Sequence, residues 1–452
     1  MKNLLLIIYI SLLTISCQKT EEIENVVVIG GGLMGSSTAW ELSKYGQDVL
    51  LIEQQDSVYT FGSSFGEARI SRSLGPNEDV FSYLQQTSVS ETKNLIDYLN
   101  NGEKQPLHSM EDIYTTSPVT YIYSKSQIKK VEELLDGQTD KYEYASNILE
   151  AAEKFEMKIP DTTMVIREFK DYSGTLNPKV LIEKLHRAIK KAGNRIDYNQ
   201  KVTSLKKEDG IYKIIIKDAK TGTNKTILSK NVVAAAGPYI GALVKDIAPY
   251  FSSLISPKRL FLSFLKIDSD KYELLTIEQK KKLKESYPVA YLNSEIFYSM
   301  IEKYDEKGIP ILKIGGHFLR TDIKNLDEVW RMDLSAQEIQ WSKENTADYL
   351  AKLDLPLEFE DLEYERGYSC VYSLTQSEIP YVSNALKNDI EIDSSLVIVG
   401  GMSGTGAKGS LAYGLIAADL ILDYKNDSFM YQKTKSALGA ERLMMDIQNI
   451  DK

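Results

Sequence analysis

The stretch "VVVIGGGLMGSSTAW" (26–40) constrains this chain more than any other. It supplies Gly30-x-Gly32-x-x-Gly35 directly after an apolar strand and directly before a helical pattern, with Leu33 and Met34 at the two variable positions. Gly30 permits a tight turn, Gly32 lets the backbone approach a pyrophosphate, and Gly35 lets helix and strand pack closely. The start of the helix then turns its partial positive charge toward the phosphates. A second apolar run ends in Glu53, 18 residues past Gly35, where a carboxylate can accept bonds from ribose hydroxyls. That acid favours a ribose without a 2′-phosphate. The pattern predicts an α/β, Rossmann-like dinucleotide site for FAD or NAD and leaves the choice between them open.

Elements of this type recur along the chain. Strands are expected at Val26–Ile29 and Val49–Glu53 with a helix over about 34–45 between them. Helical patterns follow near 80–100, 126–136 and 145–155, and a strand-like run covers 112–124. In "LNPKVLIEKLHRAIKKAGNR" Asn177 caps a helix, Pro178 suits its first position and Gly193 ends it. Strands are expected at 196–204, 211–217, 226–229 and 231–237. The region 250–370 has a different texture, with alternating strands, many tyrosines and a lysine-rich helix at 276–286. Near the C-terminus "SSLVIVGGMSGTGAKGSLAYGLIAADLIL" gives a strand, a second glycine-rich loop and a buried helix from about Ala407. Gly401, Gly404 and Gly406 let amides of that loop converge on an anion.

Dinucleotide-type elements at the beginning, middle and end imply one discontinuous domain of 24–108, 166–248 and 374–445. A mixed-sheet substrate domain of 109–165 and 249–373 is interleaved with it. The 452 residues carry a formal net charge of −10, which argues against a nucleic-acid partner. Two cysteines and three histidines make a zinc module an unsuitable reading, so no metal is expected. The leader "MKNLLLIIYISLLTISC" (1–17) has a basic Lys2, a short apolar stretch and a small residue before Cys17. It resembles a bacterial lipoprotein signal peptide, which implies export, lipidation of Cys17 and a membrane-anchored protein at the periplasmic face or cell surface.

Three further stretches occur in order after the fingerprint: "GSSFGEARISRS" (62–73), "ILKIGGH" (311–317), and "SCVYS" with "GGMSGTGAKGS" (369–373, 400–410). Together they resemble the monomeric sarcosine oxidase and N-methyltryptophan oxidase family, within the D-amino-acid-oxidase superfamily, over about 24–425. The resemblance implies FAD. It implies oxidation of the C–N bond of an amino acid, of secondary (N-alkyl) type, to an imine, with O₂ reduced to H₂O₂.

The resemblance also implies roles for particular residues. Arg72 and Lys408 match the pair that binds the substrate carboxylate, and Arg69 matches a second arginine near the flavin. Lys313 matches the lysine that activates oxygen, where a fixed ammonium in a dry site stabilises the negative charge that forms. His317 matches the active-site histidine and Tyr298 the substrate-side tyrosine. Cys370 and Tyr372 match a pattern in which the cysteine is joined covalently to the flavin. Val202, Ala236 and Gly237 complete the implied cofactor contacts.

Phe65 stands where related enzymes carry a histidine, so the surroundings of Arg69 must differ. The helix at 276–286 lies close in sequence to the expected substrate wall and bears on substrate size. Two other readings keep the same fold. One is a membrane-tethered dehydrogenase that passes electrons to a quinone or carrier, and the other is a non-catalytic surface lipoprotein. Intact Lys313, Arg72, Lys408 and Cys370 argue against the second.

Overall fold

The strand Ile23–Ile29 is buried on both faces along its last four residues, as a central parallel strand must be. It pairs in parallel with Val49–Ile52 on one side and with Asn224–Ala234 on the other. Arg195–Asp197 and Glu391–Gly400 extend the parallel part outward. Gln200–Glu208, Ile211–Asp218 and Tyr381–Lys387 join antiparallel to complete an eight-stranded sheet. The computed structural model describes residues 22–450 apart from 77, 137–140, 170–171, 293–294 and 331–332. The leader and Cys17 lie outside the described residues.

Side-chain alternation decides which layer each strand residue meets. Val26, Val28, Val49 and Leu51 face the helices Leu33–Lys44, Val80–Asn100, Pro178–Lys191 and Ser410–Leu422. Val27, Ile29, Leu50 and Ile52 face the opposite layer, which holds Val244, Phe251 and Leu443. The helix at 178–191 forms as its sequence predicts, with the Asn177 side chain accepting from the Val180 amide at 3.1 Å. The expected strands at 226–229 and 231–237 are one continuous strand, because the chain pairs without a break from Asn224 to Ala234. The expected strand at 196–204 is instead two, divided at Asn199, which sits at φ 59°.

The second sheet has nine strands and mixed direction. Ser256–Ile267 is its spine, paired with Leu362–Leu374 along one edge and Pro310–Gly316 along the other. Phe297–Tyr304, Val289–Tyr291, Val119–Ser124, Thr163–Glu168 and Tyr142–Ala145 continue outward from Pro310–Gly316. The boundary expected at 165/166 cuts Thr163–Glu168, all six residues of which pair with Val119–Ser124. Helix Ala336–Lys352 covers this sheet through Trp341, Tyr349 and Leu350. The lysine-rich helix forms over Ile277–Glu285, inserts Leu283 into the same core, and borders Glu156 through Lys282. It does not border the cavity described below, so its expected influence on substrate size is not through wall contact. A three-stranded sheet of Arg69–Ser71, Gly174–Leu176 and Tyr114–Thr116 fixes the segment that carries Arg69 and Arg72.

Candidate active site

A cavity of about 750 Å³ runs along the seam between the two large sheets. At one end stand Gly30, Gly32, Leu33, Met34 and Glu53; at the other stand Arg69, Arg72, Tyr298, Lys313, His317, Cys370, Tyr372 and Lys408. Val202, Ala236, Gly237, Gly404 and Gly406 line it between or beside these groups.

The fingerprint end is shaped for a dinucleotide. Gly30 sits at φ +101°, where an added Cβ would lie 2.5 Å from the Ala235 carbonyl oxygen. At Gly35 a Cβ would lie 1.8 Å from the Gly30 carbonyl oxygen, so Gly35 is the packing glycine and does not itself border the cavity. The helix Leu33–Lys44 begins at Gly32, which has no side chain to cap it, with no acid in its first turn and with the Leu33 amide donating to Ser64 Oγ at 3.2 Å. A helix start with no acid, facing a cavity, favours an anion there. Glu53, 5% exposed, accepts from the amides of Gly31 at 2.7 Å and Gln55 at 2.8 Å. Burial raises its pKa, and those two amides pull against the rise.

The second glycine-rich loop closes the other side. Its helix starts at Ser410, three residues later than expected, and Met402–Lys408 line the cavity as an irregular loop. The amides of Ser403 and Thr405 are spent inside the chain, on the carbonyls of Ser373 and Met402. Gly401 does not border the cavity. The strand ends at Gly400, and the turn at Gly401 (φ +69°) packs on Thr375, where an added Cβ would meet Cγ2 at 2.5 Å.

The cations at the far end fall into two kinds. Arg69 is tied to backbone, donating to the carbonyls of Ala68 at 2.8 Å, Ser63 at 3.0 Å, and Phe65. Phe65 itself packs against Tyr368, with ring centroids 5.4 Å apart. Arg72 instead lies over the Tyr121 ring, 5.5 Å from its centroid, and Lys408 over Phe81 at 5.6 Å. Neither has an ion pair with any described carboxylate. Burial pushes the Lys408 ammonium down to about 7, with the charge of Arg72 adding to the push and Asp79 and Glu168 opposing it. Burial alone would lower the Arg72 pKa, yet Tyr121, Tyr123 and Glu168 outweigh it and raise it, so of the two half-buried cations it is Lys408 whose charge an anion between them would favour.

Lys313 lies on Pro310–Gly316 and is 1% exposed. Its ammonium donates to Glu302 Oε2 and to the Ala68 carbonyl, each at 2.9 Å. Burial, then Arg69, drive its pKa below the usual lysine range, while Glu302 resists. Tyr298 stands opposite Gly315 on the paired strand, and only the absence of a side chain there admits its ring. Its hydroxyl is 3.5 Å from that of Tyr372. The His317 ring meets Tyr372 edge-on at 6.1 Å; burial lowers its pKa, with Arg320 adding and Glu378 opposing. Cys370 lines the cavity at 6% exposure; burial raises its pKa, and Arg69 and Lys313 pull it back.

Glu302 and Tyr59 lie outside the sequence motifs. Tyr59 lines the cavity and donates to the Gly31 carbonyl, bracing the fingerprint turn from a loop 28 residues away. Glu302 sits in "FYSMIEKY" in phase with Tyr298 and Met300, all on one face of their strand. That alternation was available as a signal, because a carboxylate in phase with cavity residues is unusual on a buried sheet.

A seam cavity lined by a dinucleotide fingerprint and by a cluster of cations is the site of a nucleotide-cofactor enzyme. The chain belongs to the FAD dependent oxidoreductase family, whose model matches residues 25–420. Among curated proteins it is 24% identical over 409 residues to "Probable sarcosine oxidase" from Arabidopsis thaliana, covering 88% of each chain. It is 22% identical over 401 residues to "N-methyl-L-tryptophan oxidase" from Yersinia pestis (strain Pestoides F), covering 87% of this chain and 94% of the relative. Among solved structures the open form of NikD, "an unusual amino acid oxidase", superposes with a TM-score of 0.68 at 16% identity, covering 92% of this chain and 97% of that one.

Proposed function

We propose that this enzyme oxidises the C–N bond of an amino acid bearing a secondary, N-alkyl amine, giving an imine that water hydrolyses, with O₂ reduced to H₂O₂. The pair Arg72 and Lys408 carries the reading, because both cations line one cavity with no ion pair to a described carboxylate and a substrate carboxylate could bridge them. FAD, when bound, supplies the two-electron acceptor for the C–H bond beside nitrogen. The glycine turn and helix start at Gly32 and the Glu53 carboxylate fit its pyrophosphate and ribose.

The chain's own residues perform the remaining tasks. Arg72 and Lys408 hold the carboxylate, which orients the substrate and discriminates against simple amines. Ile70, Ala290 and Leu292 cluster with Tyr298 beside the Arg72–Tyr121 contact and offer apolar surface to the rest of the molecule. Tyr298, Tyr372 and His317 supply the polar groups within that surface. Lys313 places a cation in a dry part of the wall, where negative charge on O₂ would be stabilised. O₂ takes up two electrons and two protons for each C–N bond oxidised.

Cys370, on the cavity wall, is proposed as the point of covalent cofactor attachment. Acid denaturation of FAD-loaded protein should leave flavin absorbance on the Cys370 peptide; free FAD alone would rule the link out. Lipidation of Cys17 and membrane anchoring of the exported protein are proposed from the leader. A Cys17→Ser variant should then lose metabolic incorporation of palmitate. Among the described residues no helix is long and apolar enough to cross a membrane.

The activity itself is tested with the FAD-loaded enzyme on N-methyl amino acids and on the same amines lacking the carboxylate. Peroxide should form only with the carboxylates. Turnover of the carboxylate-free amines at equal efficiency would refute the assignment of Arg72 and Lys408.

A further inference from the structure

The contact between Lys313 and Glu302 joins three parts of the chain at one buried point. Both side chains are 1% exposed. The Glu302 carboxylate accepts from the Lys313 ammonium at 2.9 Å, from the Glu67 amide at 2.8 Å and from the Ala68 amide at 3.0 Å. Lys313 in turn donates to the Ala68 carbonyl at 2.9 Å. The segment 66–68 therefore wraps both members of the pair. It can do so because Gly66 sits at φ +112° with no side chain. A Cβ there would lie 2.9 Å from Lys313 Nζ, 3.1 Å from Arg69 Nη1 and 3.2 Å from Glu302 Oε1.

The groups facing Lys313 come from four elements. Arg69 comes from the strand Arg69–Ser71, Glu302 from Phe297–Tyr304, Cys370 from Leu362–Leu374, and Phe264 from Ser256–Ile267 with its ring centroid 5.6 Å from Nζ. Glu302 is the carboxylate among them. Burial alone would favour its neutral form, yet Lys313 and the Glu67 amide outweigh burial and hold its pKa below the ordinary value. Arg69 is a fixed positive charge, already bonded to carbonyls. With Glu302 removed, Lys313 would face Arg69 alone in a dry wall and would give up its proton.

We propose that Glu302 is a positioning residue that keeps the Lys313 ammonium charged and aimed at one point of the cavity wall, and so sets how fast the enzyme passes electrons to O₂. The inference rests on the proposed function only for its kinetic part; the state of Lys313 is a property of the protein itself.

The test compares wild type with Glu302→Gln and Glu302→Asp. In protein carrying ¹³C/¹⁵N-labelled lysine, the Lys313 side-chain resonance is assigned by its loss in Lys313→Met. It should titrate at least about one pH unit lower in E302Q than in wild type, with E302D between them. In the FAD-loaded enzyme, stopped-flow absorbance separates bleaching by substrate under argon from recovery of colour on adding O₂. In E302Q at about pH 8, recovery should slow by about tenfold or more while bleaching changes by less than about threefold, and recovery should return toward wild type near pH 6.

Unchanged Lys313 titration in E302Q would overturn the proposal. So would bleaching and recovery falling together with no rescue at low pH, or recovery becoming faster. If E302Q does not fold, E302D carries the same test, since it keeps the charge but shortens the reach. If no amino acid bleaches the wild-type enzyme, the proposed substrate fails, while the Lys313 titration still decides the role of Glu302.

Discussion

Two lysines, Lys313 buried and Lys408 half-buried, face the same cavity under opposite conditions. Lys313 has its carboxylate, Glu302, at 2.9 Å, within a closed set of hydrogen bonds. Lys408 has an aromatic ring and a second cation nearby, and no described carboxylate in ion-pair contact. Desolvation acts on both. Glu302 offsets part of the cost at Lys313, where burial and Arg69 still lower the pKa to about 7, whereas Lys408 is relieved by losing its proton or by an anionic ligand. The difference separates a group built into the wall from a group awaiting substrate.

Removing Lys313 should be the most damaging way to probe that contrast. Lys313→Met leaves the Glu302 carboxylate buried and unpaired, and should cost about 3–5 kcal/mol of stability in urea unfolding of the cofactor-free protein. Combining it with Glu302→Gln should recover much of that loss. Equal stability of Lys313→Met and wild type would mean that the pair is not the closed unit described here.

Arg72→Met should act on catalysis instead. It removes one of the two groups proposed to grip the substrate, and kcat/KM should fall roughly a hundredfold, or about 3 kcal/mol. The cofactor-free protein should lose little stability. A kcat/KM within threefold of wild type would place the substrate carboxylate elsewhere.

Lys408 sharpens the comparison through pH. Its folded-state pKa, about 7, lies below the 10.5 of an ordinary exposed lysine, so over that window the unfolded chain binds more protons than the folded one. Its contribution therefore makes the cofactor-free protein more stable as pH rises from about 7 toward 10.5, and the penalty is fully present below about 7. Lys408→Met should flatten that slope and be neutral or stabilising near pH 7, the reverse of Lys313→Met. A carboxylate inhibitor should bind more weakly as pH rises through about 7, by up to about tenfold. An unchanged affinity across this range would detach Lys408 from the anion site. The smallest effect is expected from Tyr298→Phe, whose hydroxyl makes only a 3.5 Å contact with Tyr372. A change in kcat/KM below about threefold is predicted, and a larger one would give that hydroxyl a direct role.

The sequence announces what depends on local chemistry. Gly30 and Gly35 need their glycines for reasons confined to one turn, and the Asn177–Pro178 start needs nothing beyond its own helix, so both were readable. Arg72, Lys408 and Lys313 were legible through the motifs around them, and the chain brings all three to one cavity. What could not be read depends on strands meeting at a distance. Glu302 reaches residues 67 and 68 across more than 230 positions. Gly401 looked like its neighbours in the loop, yet the end of a strand turns it away from the cavity. The helix Ile277–Glu285 was recognisable from its residues, but its distance from the cavity was not.

The pairing of Ile23–Ile29 with Asn224–Ala234, and of that strand with Leu396–Ile398 of Glu391–Gly400, has a consequence for biosynthesis. As the polypeptide emerges from the ribosome, its fingerprint strand waits some 200 residues for one flanking partner, and the sheet lacks another strand until the last eighth of translation. A nascent chain halted before residue 381 would carry every glycine of the fingerprint and still lack one wall of the cavity. The complete lining for a dinucleotide therefore exists only once nearly the whole chain is present.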